Sequence, residues 1–247
     1  MVMNGRMVRR TMSEEAPVFE TSTGPVRIIT AASLFDGHDA AINVMRRLIQ
    51  TSGAEVIHLG HDRSAKDVVD CAVQEDAHAV ALTSYQGGHM EYFTYIRQLL
   101  DEAGCGHVRI FGGGGGTITP PEIRDLHASG ISRIYSPDDG RKMGLMGMIH
   151  NLMGTASEVD LINAERMATL DSPITTDDMA KVGLMLTLSE SASDKDFAEM
   201  METCRSSNSN PPVIGFTGTG GAGKSSLLDE LMLRILRDNP EKKVCLL

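Results

Sequence analysis

The sequence predicts an α/β protein whose main domain is a doubly wound, parallel sheet of five strands with helices on both faces. Between about residues 25 and 153, short apolar runs alternate with segments of helical periodicity. These runs lack the alternation of a half-exposed strand, which is typical of parallel strands buried on both faces. Segments rich in Asp, His and Gly directly follow the runs, where ligand-binding loops lie in such sheets.

Strands and helices can be assigned in order along this region. The predicted strands are the apolar runs Val26–Ala32, Glu55–Leu59, Ala79–Thr83, Val108–Phe111 and Ile131–Tyr135. Apolar residues three and four apart predict a helix after each of the first three strands, with buried faces at Ala41, Val44, Met45, Leu48 and Ile49, at Ala65, Val68, Val69, Ala72 and Val73, and at Phe93, Ile96, Leu99, Leu100 and Ala103. Starting prolines predict a short helix, Pro120–Ala128, and a final helix runs to about Met153.

The order of the strands follows from general rules for parallel sheets. Connections between parallel strands are right-handed, which leaves few topologies. The size and the five β-α units favour a flavodoxin-like fold with the strand order 2-1-3-4-5. A ligand in that fold binds outside the carboxyl ends of the strands, at the switch point between strands one and three. The unusual loops follow strands one, three, four and five, so we expect all of them on this edge.

Outside the sheet domain of residues 25–153, the chain divides into three further parts. Residues 1–24 are polar and predict a flexible leader. Residues 154–210 predict a helical linker region, with apolar positions Val159, Ile162 and Met167, then Met179, Val182, Met185 and Leu186, then Phe197, Met200 and Met201. The end of this region, Arg205–Pro212, has the composition of a linker. Residues 211–247 begin a second domain.

Composition excludes several classes of function. The formal charge of −10 and pI of about 5.2 argue against a nucleic-acid partner, and no apolar run is long enough for a membrane span. The four cysteines show no paired spacing, so we expect a reduced, cytoplasmic protein without a disulfide framework. Six histidines without zinc-site spacing are expected on surfaces or in loops, namely His58, His61, His78, His107, His127 and His150.

The loop after the first strand contains Asp36-Gly37-His38, a candidate metal-ligating unit. An imidazole at this position can project over the sheet edge, and Asp36 can accept a hydrogen bond from its second ring nitrogen. Such a bond fixes the tautomer and strengthens the ligand. The alternative reading is an exposed loop histidine beside a helix-capping aspartate.

Two more loops strengthen the prediction of a binding site. Thr83-Ser84-Tyr85-Gln86-Gly87-Gly88-His89 follows the third strand, and five consecutive glycines, Gly112–Gly116, follow the fourth. Five glycines are costly in chain entropy, whereas an ordinary turn needs one or two. We therefore expect a bulky ligand to lie against bare backbone at this loop.

In this region the sequence resembles the cobalamin-binding domain of adenosylcobalamin-dependent mutases, which carries Asp-x-His-x-x-Gly, Ser-x-Leu and Gly-Gly motifs after these strands. The resemblance covers roughly residues 24–153. It implies that His38 is the lower axial ligand of cobalt and that the cofactor's nucleotide tail lies between the first helix and the sheet. Ala41 replaces the last motif glycine, Thr83-Ser84-Tyr85 replaces Ser-x-Leu, and the register of the glycine run stays open. The implied cofactor-binding residues are Asp36, Gly37, His38, Asp39, Ala41, Met45, Thr83, Ser84, Tyr85, Gln86, Gly87, Gly113, Gly114, Gly115, Gly116, Tyr135 and Ser136.

The second domain begins with a complete phosphate-binding motif, Gly218-x-x-x-x-Gly223-Lys224-Ser225. A predicted strand, Val213–Thr217, precedes it, a helix follows it, and a further strand begins at Lys243. Backbone N–H groups would hold the phosphates, Lys224 would reach the β- and γ-phosphates, and Ser225 would ligate Mg²⁺. The candidate nucleotide-binding residues are Gly218, Gly220, Gly221, Ala222, Gly223, Lys224, Ser225 and Ser226.

This second segment resembles the metallochaperone GTPases that serve acyl-CoA mutases, which implies GTP with Mg²⁺, although these residues alone leave GTP and ATP open. The order of the two domains resembles acyl-CoA mutases with an internal GTPase. That resemblance implies a homodimer and a substrate-binding TIM barrel beyond this chain. We also expect the chain to be part of a longer polypeptide, because a lone strand-loop-helix cannot close a core. The implied reaction interconverts isobutyryl-CoA and n-butyryl-CoA, and the GTPase would gate cofactor loading.

Three alternatives remain open. One is a mutase for another branched acyl-CoA, similar to methylmalonyl-CoA mutase, and only the substrate domain would distinguish it. Another is a non-catalytic cobalamin chaperone or sensor, which a barrel encoded downstream would eliminate. The third is a flavin-binding protein, which is disfavoured because the first loop offers His and Asp rather than the hydroxyls and amides that hold a phosphate.

Overall fold

The computed structural model describes residues 19–171, 178–191 and 212–246, with single positions at 175, 193, 195, 197 and 198. The predicted leader up to residue 18, the positions Met200 and Met201 and the linker 205–211 lie outside these residues. The chain forms two compact units, Met1–Met201 and Glu202–Leu247. The domain boundaries predicted from the sequence stay predictions.

The first unit is built on a five-stranded parallel sheet preceded by a small hairpin. Strands β1 (Glu20–Thr21) and β2 (Gly24–Pro25) pair with each other antiparallel. The sheet has the order β4-β3-β5-β6-β7, which confirms the predicted order 2-1-3-4-5. Its strands are β3 (Arg27–Ser33), β4 (Glu55–Arg63), β5 (Ala79–Thr83), β6 (Arg109–Gly113) and β7 (Arg133–Tyr135).

Helices cover both faces of the sheet, as the apolar strands predict. They are α1 (Asp39–Thr51), α2 (Ala65–Gln74), α3 (His89–Glu102), α4 (Pro120–Ala128) and α5 (Pro137–Ser157). On one face, α2, α3 and α4 enclose a core that includes the fully buried Phe93 and Leu126. On the other face, α1 and α5 enclose a second core that includes Ile49 and Met153.

Local chemistry fixes where the helices start and bend. Ser64 caps α2 and Ser136 caps α5, each through a side chain that accepts the N–H of the aspartate three residues later. Helix α5 is interrupted at Gly144, whose φ of 68° and ψ of 174° are not helical. The residues before and after this kink therefore form two helical pieces, and the second piece packs on one face of the sheet through Ile149 and Met153.

Two further helices, α6 (Ala164–Ala168) and α7 (Met179–Ser191), pack against the sheet domain through a buried ion pair. Arg166 binds Asp76 at 2.5 Å, and the Thr187 hydroxyl donates to the same carboxylate at 2.8 Å. A Cβ atom on Gly183 would lie 2.8 Å from the Val73 carbonyl oxygen, so α7 needs glycine there to approach the end of α2. None of the described helices is both long and apolar enough to cross a membrane.

Several sequence predictions of elements were wrong. Strand β4 extends to Arg63 rather than Leu59, because it continues to pair with β3 after a register shift. Val159 and Ile162 lie outside α6. No strand is assigned at 213–217 or 243–246, because no neighbouring described segment pairs with them.

One of the histidines expected on surfaces or in loops, His78, lies in the turn before β5 but is not at the surface. His78 is buried at the start of β5, where its Nδ1 accepts the Arg27 N–H at 3.0 Å. A surface position is therefore excluded, because the ring fills the space between the amino ends of β3 and β5.

Candidate functional site

Four loops meet at the carboxyl edge of the sheet, and they contain the residues that the sequence singled out. The loop after β3 carries Asp36 and His38, and the loop after β5 carries Tyr85. The glycine run ends β6, and Tyr135 ends β7. Parallel strands bring these distant segments together because all their carboxyl ends lie on one edge.

Asp36 joins the first two loops through three hydrogen bonds. Its Oδ1 accepts the His38 backbone N–H at 2.9 Å and lies 2.8 Å from His38 Nδ1. Its Oδ2 accepts the Tyr85 N–H at 2.6 Å. The side chain is fully buried. The hydrogen bond between Asp36 and the His38 ring, predicted from their two-residue spacing, is present.

The environment of Asp36 keeps it ionised. Burial is the largest influence and would raise its pKa. The N–H groups of Tyr85 and His38, with the His38 ring, outweigh burial, so the pKa of Asp36 lies below its ordinary value of 3.8. A carboxylate at neutral pH accepts from Nδ1–H, which leaves Nε2 of His38 with a free lone pair.

His38 itself is presented outward. Its side chain is 68% exposed, although its partner Asp36 is buried. The His38 ring contacts the Tyr85 ring, and the two ring centroids are 5.5 Å apart. Nδ1 of His38 is thus held by the Asp36 carboxylate, and Nε2 lies on the opposite side of the ring from this hydrogen bond. This arrangement is suited to donate one lone pair to a metal centre above the edge.

The glycine run has a separate structural reason at each of three positions. A Cβ on Gly112 would lie 2.4 Å from the Phe93 ring, in the core on the α3 side. A Cβ on Gly114 would lie 2.0 Å from the Ser84 carbonyl oxygen, so this loop touches the neighbouring loop backbone to backbone. Gly115 has a φ of +57°, and its Cβ would meet the Tyr85 ring at 3.1 Å.

Sheet pairing fixes the position of Gly113 next to β5. Gly113 lies beside Thr83 in the ladder, and its carbonyl accepts the Ser84 N–H at 2.8 Å. A Cβ on Gly113 would meet nothing closer than the Tyr135 carbonyl oxygen at 3.5 Å. Gly116 is exposed, with open space around it. The run is thus part of a closely packed loop junction rather than a simple flexible turn.

An apolar cavity of about 290 Å³ opens beside this junction, between α1, the sheet and α5. Nine of the predicted cofactor-binding residues line it, namely Ala41, Met45, Thr83, Tyr85, Gly113, Gly114, Gly115, Tyr135 and Ser136. Its position between the first helix and the sheet is the position that the sequence resemblance implies for a nucleotide tail.

Thr83 supplies a polar atom to this apolar cavity. Its buried Oγ1 has no hydrogen-bond partner within the described part of the chain. The adjacent Ser84 hydroxyl is occupied, because the Ser33 hydroxyl donates to it at 2.9 Å. Of the two hydroxyl residues that the sequence left open, Thr83 lines the cavity and Ser84 does not.

The remaining predicted residues lie around the cavity rather than in its wall. Gln86 does not point into it, since its Nε2 donates to the Phe35 carbonyl at 2.5 Å. Asp39 accepts from Asn43 in the first turn of α1. The others outside the lining are Asp36, Gly37, His38, Ser84, Gly87 and Gly116.

Sequence reasoning missed the apolar part of the lining. These residues are Ile42, Ile49, Ala81, Leu82, Phe111, Gly112, Pro137, Gly140, Met148, Ile149 and Leu152. A signal existed in the apolar periodicity of the first and last helices, because the face of each helix that packs on the sheet also borders the cavity. Periodicity alone does not separate a side chain that fills a core from one that borders a cavity.

The second unit contains the predicted phosphate loop. Helix Lys224–Asp238 starts directly after it, and Gly221 and Gly223 have φ values of 77° and 79°. Lys224 Nζ donates to the carbonyls of Gly218 and Thr219, both at 2.9 Å. The lysine folds back over the loop, so its ammonium lies at the N-terminus of the helix, where an anion would bind.

Comparison with known proteins identifies related sequences. Residues 26–138 match the family "B12 binding domain". The chain is 47% identical over 229 residues to a fused isobutyryl-CoA mutase of Geobacillus kaustophilus and 48% identical over 237 residues to one of Cupriavidus metallidurans. These matches cover 90% and 95% of this chain but 21% of each relative, so the chain spans about a fifth of their length.

A solved structure with a similar fold comes from Desulfitobacterium hafniense DCB-2 and is a cobalamin-binding protein. It has a TM-score of 0.44 and 19% sequence identity, and the match covers 53% of this chain and 58% of that one.

Proposed function

We propose that the chain binds adenosylcobalamin with His38 as the lower axial ligand of cobalt, because residues 26–138 match the B12-binding domain family and the chain is similar to fused isobutyryl-CoA mutases. One observation carries the proposal. A buried, ionised Asp36 holds an exposed His38 ring at 2.8 Å beside an apolar cavity. This is the arrangement that a single imidazole needs in order to coordinate a metal from a sheet edge.

The cavity fits the role of a slot for the nucleotide tail. Its walls are apolar side chains and bare glycine backbone, which suit a flat heterocycle. Thr83 Oγ1 offers one hydroxyl to a polar atom of that ring system. Because Tyr85 both borders the cavity and contacts the His38 ring, a ligand could extend from the imidazole into the slot.

Bound adenosylcobalamin would supply radical chemistry for a carbon-skeleton rearrangement. The residues of this chain would hold and orient it. Asp36 keeps Nδ1 of His38 protonated, so Nε2 stays available as the ligand atom, and the apolar cavity excludes water from the tail. The chain does not contain the acyl-CoA site in this proposal, since it spans about a fifth of its relatives.

For the complete protein we propose the activity in the relatives' name. It would interconvert isobutyryl-CoA and n-butyryl-CoA as a homodimer, with the acyl-CoA bound by a TIM barrel outside this chain. Free thiols at Cys71, Cys105 and Cys245 are consistent with a cytoplasmic location, which belongs to the same proposal. A mutase for another acyl-CoA stays the alternative, because nothing in this chain would contact the acyl group.

A second proposed ligand is a nucleoside triphosphate with Mg²⁺ at Gly218–Ser225, with GTP as the expected nucleotide. The support is the helix that starts at Lys224, two glycines with positive φ, and the ammonium that lies over the loop. Phosphate oxygens would replace the carbonyls of Gly218 and Thr219 as partners of Lys224. Hydrolysis would gate cofactor loading in this proposal.

The cobalamin proposal is tested by titrating the protein with adenosylcobalamin and recording binding and the absorption spectrum. The wild type should bind with a spectrum that shows histidine ligation, whereas His38→Ala should bind about 10- to 100-fold more weakly and give a base-off spectrum. His61→Ala is the matched control, since His61 is an exposed histidine of the same edge. An unchanged spectrum in His38→Ala would refute the assignment.

A further inference from the structure

Phe35 combines two features that are rarely found together. Its φ is 63°, in the left-handed region, and its side chain is 77% exposed. For a bulky residue this backbone conformation is strained, and an exposed phenylalanine gains nothing from the hydrophobic effect. Strain of this kind persists only where the surrounding structure imposes it, and it concentrates at ligand-binding sites.

Two side chains impose the strained conformation, one from the end of strand β4 and one from the loop after β5. Asp62 Oδ1 accepts the Phe35 N–H at 2.7 Å, and Gln86 Nε2 donates to the Phe35 carbonyl at 2.5 Å. Asp62 also has a positive φ, 58°. Both backbone groups of Phe35 are thus held from opposite sides, with a second strained residue providing one of the contacts. These two hydrogen bonds fix the position of the Phe35 backbone, from which the exposed ring extends.

The backbone of Phe35 lies close in the chain to the proposed cobalt ligand. Phe35 immediately precedes Asp36, which holds the His38 ring, and Gln86 immediately follows Tyr85, on which that ring leans. Phe35 and Asp36 are therefore neighbours in one loop, and Gln86 and Tyr85, which bind them, are neighbours in the next. A group large enough to contact His38 from above the edge would also reach the neighbouring exposed ring.

Tyr95 is an exposed aromatic residue of the first unit that lacks this support. Its side chain is 50% exposed but sits within helix α3, where its backbone is unstrained. A single exposed apolar side chain of that kind needs no explanation. Phe35 differs from such positions because it combines exposure, a strained backbone and hydrogen bonds to both of its backbone groups.

We propose that Phe35 is a cofactor-positioning residue, whose ring forms an apolar contact with the corrin beside His38 and whose backbone is held for this purpose by Asp62 and Gln86. This inference rests on the proposed binding of cobalamin. It assigns the strain at Phe35 to ligand binding rather than to folding.

The test separates folding from binding by replacing Phe35 with asparagine, the residue other than glycine that best tolerates a left-handed backbone. Because asparagine relieves the strain, the thermal unfolding temperature of Phe35→Asn without cofactor should be no lower than that of the wild type. Because the ring is lost, its dissociation constant for adenosylcobalamin should rise about tenfold. Phe35→Leu should keep most of the affinity, and Tyr95→Ala should keep all of it.

Gln86→Ala gives a second, independent readout. The ring remains in this variant but loses one of its two backbone restraints, so affinity should fall less than in Phe35→Asn. Both variants should still show histidine ligation in the absorption spectrum, because His38 and Asp36 are unchanged.

The possible results are distinct. If the wild type shows histidine ligation and Phe35→Asn binds within about twofold of it, the inference is overturned while the proposed function stands. A clear fall in the unfolding temperature of Phe35→Asn would also overturn it, because the ring would then serve folding. If the wild type binds no cobalamin, the proposed function itself fails and the inference fails with it.

Discussion

The most constrained residue of the candidate site is Asp36. It is fully buried, accepts two backbone N–H groups, and contacts the His38 ring at 2.8 Å. An ionised group is tolerated in such a place only when donors surround it. The Asp36 side chain therefore both links the loops after β3 and β5 and fixes the tautomer of His38, the proposed ligand.

Asp36→Asn should weaken both the fold and the cofactor site. An amide places N–H donors where the carboxylate accepts from Tyr85 N or His38, so at least one donor loses its partner. We expect a loss of about 2 kcal/mol in unfolding free energy at neutral pH and about 10-fold weaker binding of cobalamin. Urea unfolding and spectrophotometric titration measure the two effects.

The pH dependence of this variant provides its control. The pKa of Asp36 is lower in the folded protein than its ordinary value of 3.8. The ionised carboxylate therefore stabilises the fold above pH 3.8, and this effect is lost as the pH falls through the pKa of the folded protein. The stability difference between wild type and Asp36→Asn should shrink in that acidic range. A difference that stayed constant there would mean that the charge of Asp36 does not stabilise the fold.

Gly114 tests the loop junction. A Cβ at this position would lie 2.0 Å from the Ser84 carbonyl oxygen, which is backbone and cannot rotate away. Gly114→Ala should therefore cost at least about 2 kcal/mol of unfolding free energy. Gly116→Ala is the matched control, since its Cβ meets nothing within 4 Å and it should leave stability unchanged. Equal effects of the two changes would argue against the close contact.

At the residue scale, sequence reasoning succeeded where chemistry was local. The two-residue spacing of Asp36 and His38 predicted their hydrogen bond. Phe35 could not be found in this way, because its backbone contradicts the preference of its residue type. The sequence could not choose between Thr83 and Ser84, because only the folded structure shows that Thr83 lines the cavity while Ser84 binds the distant Ser33.

Among the elements, helices α6 and α7 depend most on one long-range contact. Arg166 binds Asp76, and Thr187 of α7 donates to the same carboxylate. Residues 76 and 166 are far apart in the sequence, and neither is apolar. Periodicity therefore could not show that this region packs against the sheet domain, although it did predict the helix at Met179.

Arg166→Met should detach these helices locally. The change leaves the buried Asp76 without its cation, which typically costs about 3 kcal/mol when one partner of a buried pair is removed. Amide hydrogen exchange should accelerate in α7 before it does in the sheet. Arg141→Met serves as the control, because Arg141 and its partner Asp138 are both exposed, and it should change neither quantity. Unchanged exchange in α7 would show that the ion pair does not hold it.

Strand prediction worked best in the centre of the sheet. The predicted strand Ala79–Thr83 has the observed bounds, because a strand buried on both faces is apolar throughout. The edge strand β4 continues through His61, Asp62 and Arg63, which are polar and exposed. A polar strand end has no apolar signature, so the sequence placed its end too early.

For the whole molecule, buried histidines predict a loss of stability in mild acid. Burial and the nearby Arg27 lower the pKa of His78 to about 4, and burial and Arg166 lower that of His107 to about 4. Each histidine is neutral when folded but protonated below about 6.5 when unfolded. The two neutral histidines therefore contribute fully to the free energy of unfolding above about pH 6.5, and this contribution falls as the pH drops towards 4.

His78→Gln isolates one of these contributions. The fully buried His78 should account for about 3 kcal/mol of the stability lost between these two pH values, so the variant should show a shallower fall of unfolding free energy with decreasing pH. Urea titrations at about pH 7.5 and 4.5 measure the slope. Identical slopes in variant and wild type would contradict the buried, neutral imidazole.

The two compact units predict separable ligand sites. Lys224 binds the carbonyls of Gly218 and Thr219 in its own loop, so Lys224→Ala should abolish nucleotide hydrolysis by the full-length protein. Binding of adenosylcobalamin and basal mutase turnover should persist. Arg237→Ala, in an exposed part of the same helix, is the control. Retained hydrolysis in Lys224→Ala would count against the phosphate role of this lysine.

At the scale of the molecule, the sequence predicted the strand order and the edge that carries the site. Both follow from rules that depend on the order of elements rather than on packing detail. The cavity could not be predicted in the same way, because the apolar residues that border it look like core residues in the sequence. Likewise, the strand predicted at Val213–Thr217 reflected an apolar run without a described neighbour to pair with.

The central claim is that His38 donates its Nε2 lone pair to cobalt. Electron paramagnetic resonance of the protein with cob(II)alamin tests it directly, using protein in which histidine alone carries ¹⁵N. Each axial nitrogen splits the cobalt lines, as a triplet for ¹⁴N and as a doublet for ¹⁵N. We predict doublets in the labelled wild type and loss of this splitting in His38→Ala. Triplets in the labelled protein would show that the cofactor keeps its own base as the ligand, and would contradict the assignment.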